Sequence, residues 1–85
     1  MEMKQYTVAG KAFTLVLKQN TDGTWECDGF DSATSATNEV IKASDRSSKR
    51  DAQFAAHAAL YELHSLRCDQ KFEADCDKDW VPVHH

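Results

Sequence analysis

The strongest constraint on this fold is the segment SDRSSKRDAQFAAHAALYELHSL, from Ser44 to Leu66. Neither proline nor glycine occurs between Ser44 and Phe72, and alanine and leucine are among the best helix formers. Ser47 or Ser48 can accept a hydrogen bond from the free amides of a first turn, as an N-cap does. The helix is expected to run to about Arg67. At 3.6 residues per turn, Ala52, Ala55, Ala56, Ala59, Leu63 and Leu66 form one stripe, with Leu60 at its edge. Small residues early and leucines late predict close approach to a sheet over the N-terminal half.

The sequence before the helix reads as strands. Residues 6–9 alternate up to Gly10. FTLVL, Phe13 to Leu17, alternates at period two and is the first strand counted. QNTDG supplies turn chemistry, and TWECDGF, Thr24 to Phe30, is the return strand, with Trp25 and Cys27 on one face. The small polar stretch Asp31 to Asn38 reads as a loop. EVIKA, Glu39 to Ala43, reads as a third strand because Val40 and Ile41 are β-branched; a helix start in the preceding loop is the competing reading. The expected fold is α+β: a three-stranded antiparallel sheet with one long C-terminal helix on one face, in the order β-β-β-α. Residues 1–68 form the domain, and 69–85 an acidic tail ending in DWVPV, whose Trp80 is expected to dock back.

With 85 residues, one domain is expected. It buries about 60–65% of its unfolded surface, which leaves a thin core and little room for an active-site cavity. No enzyme activity is expected. Ten basic residues against fourteen acidic ones give a net charge of -4, which disfavours non-specific nucleic-acid binding but permits a local basic patch. Three cysteines argue against a disulfide scaffold and for a reducing, cytoplasmic setting. No apolar run is long enough for a membrane span, and no secretory signal core follows Lys4. His57, His64 and Cys68 share one side of the helix, yet no CxxC or HxxxH pair accompanies them. No metal and no cofactor are expected.

The stretch VIKASDRSSKRDAQFAAHAALYEL, Val40 to Leu63, resembles the C-terminal part of a double-stranded RNA-binding domain. That family joins its last strand to its final helix by a short polar turn, and the helix opens with a Ser-Lys-Lys-x-Ala-Lys motif followed by paired alanines. Here Ser48, Lys49, Arg50, Ala52 and Gln53 take those places, and Ala55, Ala56, Ala59 and Leu60 follow at the family's spacing. The family's first helix and its Gly-Pro-x-His loop have no counterpart, and Gln53 stands at the third basic position, so the resemblance is to a reduced form. It implies weak binding of structured, double-stranded RNA by shape and phosphate contact. Lys49 and Arg50 would meet phosphate, Ser47 and Ser48 would add hydroxyl or amide contacts, and Arg46 would assist from the turn.

A second reading starts from the far side of the same helix. Phe54, Ala58 and Tyr61 recur at i, i+4 and i+7, about 180° from the alanine stripe, where a solvated helix carries charge. The tail, a second copy of the chain in a homodimer, or another protein can fill such a face. On this reading the chain is a small acidic protein-interaction module. It would be an inhibitor or adaptor of a nucleic-acid enzyme, of the kind that phages encode.

Overall fold

The structure is a computed structural model, and it describes residues 1–32, 39–63 and 75–83. The elements are β1 (Glu2–Val8), β2 (Lys11–Gln19), β3 (Trp25–Asp31), β4 (Glu39–Arg46), α1 (Lys49–Leu63) and β5 (Val81–Pro82). The strands form one antiparallel sheet in the order β4-β3-β2-β1-β5, with α1 on one face, mainly over β3 and β4. The α+β class and the packed helix agree with the sequence. The strand count does not: β1 and β5 extend the three expected strands on the β2 side, and β5 follows the helix, so α1 is not the last element.

The missed β1 has a physical reason. Val8 and Lys11 face each other across a two-residue turn, Ala9-Gly10, with φ of 52° and 78°. Positive φ at both positions suits the twist of a hairpin, but alanine in place of asparagine or aspartate hides the signal. The second hairpin is written openly. The Asn20 carbonyl accepts from the Gly23 amide at 3.0 Å, Gly23 has φ 90°, and the Asp22 carboxylate accepts from both the amide and the hydroxyl of Thr24. In β5, Val83 N–H donates to the Met1 carbonyl at 2.9 Å, and Pro82 lies opposite Glu2. Proline therefore occupies a position that owes the ladder no hydrogen bond.

The core lies between sheet and helix: Val8, Phe13, Leu15, Leu17 and Cys27 from below, and Ala52, Ala56 and Leu60 from above. Ser48 caps α1, its Oγ accepting from the Asp51 amide at 3.1 Å. The helix is rotated from the expected alanine stripe. Gln53, His57 and Leu60 are buried with Ala52 and Ala56, whereas Ala55 and Ala59 are half-buried and Leu63 is 53% exposed. Leu66 lies outside the described residues. The rotation turns His57 inward, onto a partner in β1.

Gly29 is tightly enclosed on the sheet's helix face. A Cβ there would stand 2.5 Å from Ile41 Cγ1, 2.9 Å from Ile41 Cδ1 and 3.2 Å from Leu15 Cδ2. Gly29→Ala is therefore expected to destabilise the fold by about 1–3 kcal/mol in urea unfolding. Combining it with Ile41→Ala removes the colliding atoms, so the double variant is expected to be more stable than the sum of the two single losses.

Candidate functional site

The five residues expected to meet phosphate fall together at the start of α1. Arg46 ends β4, Asp45 turns the chain with φ 58°, and Ser47, Ser48, Lys49 and Arg50 follow, all exposed. Two of the three charges, on Lys49 and Arg50, are engaged within the chain. Lys49 Nζ lies 2.7 Å from Glu2 Oε2, and Arg50 Nη1 donates to Asp77 Oδ2 at 3.0 Å. Ser48 is occupied as the cap. Elsewhere Lys11 pairs with Asp31, and both Lys18 and Lys42 with Glu26. Among the described residues, Arg46 and Lys78 are the lysines and arginines left outside these pairs, apart from the buried Lys4.

Phe54, Ala58 and Tyr61 do not form one surface. Phe54 is 37% exposed and lines a groove of about 350 Å³ with Arg46, Asp51, Ala55, Ala58, Ala59 and Glu62. Tyr61 turns toward the sheet and packs against the core, its hydroxyl 3.4 Å from that of Tyr6. The described part of the tail docks on the β1 side. Cys76 is fully buried, and Trp80 packs on the core with its Nε1 donating to the Cys76 carbonyl at 2.9 Å.

Beneath that docked segment lies a polar contact that sequence reasoning missed. Lys4 is 3% exposed and His57 fully buried. His57 Nδ1 lies 2.7 Å from the Gln53 carbonyl, which can only accept, so Nδ1 carries the proton. Nε2 is then an acceptor, and Lys4 Nζ donates to it at 3.0 Å. The same ammonium donates to the Asp75 carbonyl and lies 4.8 Å and 5.7 Å from the ring centres of Tyr6 and Trp80. Burial, and then the Lys4 charge, push His57 down to about 4; burial also lowers the Lys4 pKa. One signal was available: Lys4 shares a period-two face with Tyr6 and Val8.

A second unforeseen group lies on the sheet face opposite α1, which no described element covers. Glu26 and Asp28 alternate with Trp25 and Cys27, so both carboxylates point there, each 8% exposed. They share a hydrogen bond. Burial, that bond and the Glu26 charge push Asp28 up to about 6. Glu26 stays below the usual value: burial opposes its ionisation, but the Asp28 hydrogen bond and Lys18 and Lys42 outweigh it. Asp28 Oδ1 is buried with no hydrogen-bond partner. Nearby, Gln5 Nε2 donates to Thr14 Oγ1, Thr14 to Ser32 Oγ, and Ser32 back to Gln5 Oε1, a closed ring of 2.9, 2.9 and 3.1 Å.

Burial pushes the Cys27 thiol up to about 12 and raises that of Cys76, so both thiols stay protonated. His64 and Cys68 lie outside the described residues, and among those described no set of three or more ligating side chains gathers to hold a metal. No described helix is long and apolar enough to cross a membrane. Comparison with known proteins returns nothing: no family model matches the chain, and no curated protein or solved structure is significantly similar to it.

Two expectations follow. Lys4→Ala strands the acceptors of His57 and Asp75, so a loss of about 3 kcal/mol is expected. In a Trp25→Phe background the fluorescence of Trp80 should also shift to the red, because the tail that Lys4 holds loosens and the indole meets water; an unshifted spectrum would separate Lys4 from the docking of the tail. The pH dependence has two opposed parts. His57 has a lowered pKa, so between about 4 and 6.5 the unfolded chain binds the extra proton, and stability rises with pH. Asp28 has a raised pKa, so between 3.8 and about 6 the folded chain binds the extra proton, and stability falls with pH. Asp28→Asn is therefore expected to add about 1–3 kcal/mol at neutral pH. That gain should vanish near pH 4 in urea titrations, and a pH-independent gain would refute the assignment.

Proposed function

We propose that this chain is an acidic protein-interaction module, which contacts a protein rather than nucleic acid. The observation that carries the reading is the internal engagement of Lys49 and Arg50 by Glu2 and Asp77, at the position where resemblance to the double-stranded RNA-binding domain asks for free cations. Each exposed pair contributes little to stability, about 0–1 kcal/mol. It nonetheless spoils phosphate binding, because the carboxylate stands where a phosphate would approach and repels it. The net charge of -4 acts in the same direction. A surface of this kind suits an inhibitor or adaptor that meets a basic protein surface, including one that ordinarily receives phosphate.

The RNA reading is tested by titrating a labelled RNA duplex at low salt. No saturable binding is expected. Binding that weakens with salt, and weakens further with Lys49→Ala and Arg50→Ala, would overturn the proposal and restore RNA as the partner.

A further inference from the structure

The two edges of the sheet are treated differently. β4 carries the devices that discourage strand addition: Lys42 on the edge strand, two register irregularities against β3, and the left-handed Asp45 that bends its end. Beyond Met3, β1 pairs regularly with β2, and its one charge, Lys4, is turned into the core rather than toward the edge. Its hairpin with β2 and the Val83–Met1 hydrogen bond fix which backbone groups point where. Glu2, Lys4, Tyr6 and Val8 bond to β2, so the amides and carbonyls of Met1, Met3, Gln5 and Thr7 point outward. β5 takes up those of Met1 and Met3 and then stops, because Asp79, with φ 65°, turns the chain away. Gln5 and Thr7 are exposed, and no described strand pairs with them.

Where β5 stops, a groove of about 440 Å³ opens between Met3, Lys4, Gln5, Val81 and Asp79. The Lys4 ammonium is turned into the core onto His57 and the Asp75 carbonyl; it attracts Asp79 through space but forms no ion pair with it. Asp79 is exposed, and no ion pair engages it among the described residues. Among the described residues, the groove therefore joins a strand edge beyond the reach of β5 and an exposed carboxylate outside any ion pair.

We propose that the β1 edge at Gln5 and Thr7 receives an extended basic peptide segment, added as a strand in the lane that β5 opens, with a lysine or arginine of that segment on Asp79. The backbone supplies affinity through the outward groups of Gln5 and Thr7, and Asp79 supplies the preference for positive charge. This rests on the protein-interaction reading and names the partner's chemistry.

The probe is a short labelled peptide in which lysine and valine alternate, with a glutamate–valine peptide as control. Binding is followed by fluorescence anisotropy and by amide hydrogen exchange read residue by residue. In the free protein the Gln5 and Thr7 amides should exchange fast, and the lysine peptide should slow both. Thr7→Pro removes one outward donor without touching the β2 ladder, and is expected to weaken binding at least about tenfold. Asp79→Ala is expected to weaken it about threefold to fivefold and to flatten its salt dependence. Should Thr7→Pro unfold the protein, the exchange pattern and Asp79→Ala decide alone.

Several outcomes would overturn the proposal: amides already protected in the free monomer, equal binding of the glutamate peptide, or peptide binding that leaves both amides fast. Protection that grows with protein concentration alone would assign the edge to a second copy of the chain. The two readings fail separately. RNA binding sinks the function proposed above, whereas a silent edge without RNA binding sinks only this assignment.

Discussion

One buried ammonium ties the first strand, the helix and the C-terminal segment together. Lys4 lies in a strand position that would ordinarily hold an aliphatic residue, opposite Leu15 and below His57. Its desolvation is unfavourable, and it persists because three elements meet at it: β1 through its own backbone, α1 through His57, and the C-terminal segment through the Asp75 carbonyl. The aromatic faces of Tyr6 and Trp80 complete the shell. An apolar residue there would pack, but it would leave the imidazole and the carbonyl without a donor. The contact selects one rotation of the helix and one seat for the tail, a specificity that the thin alanine core does not impose by itself.

That requirement also explains what was legible in the sequence and what was not. The FTLVL strand, the QNTDG turn and the helix start at Ser48 follow from local chemistry, and they stand where periodicity and capping place them. The helix face does not, because a stripe of alanines defines its direction weakly. A polar bond of His57 moves the buried centre toward Gln53 and Leu60. β1 was hidden by an Ala-Gly turn and by a lysine on its inner face, and β5 by its two-residue length. The basic cluster at Arg46 to Arg50 was legible as a cluster. Its neutralisation was not, since Glu2 and Asp77 are far from it in sequence and adjacent only in the fold.

The opposite sheet face shows the same long-range coupling in carboxylates. Glu26 and Asp28 were readable as outward once Trp25 and Cys27 faced inward. Their mutual hydrogen bond and the flanking Lys18 and Lys42 depend on the register of three strands. The protein therefore spends its charge largely on itself, and the acidic surplus left at the surface, rather than any concentrated basic patch, sets the character of its encounters with other molecules.

The Val83–Met1 hydrogen bond carries a mechanical consequence. These two residues lie side by side on neighbouring antiparallel strands. A pull applied to both would load the β1–β5 hydrogen bonds in sequence, opening them like a zipper from the free end instead of shearing them together. Under tension the tail would peel off first, and with it the carbonyl that holds the buried ammonium. A modest force on that seam would therefore reach the centre of the fold.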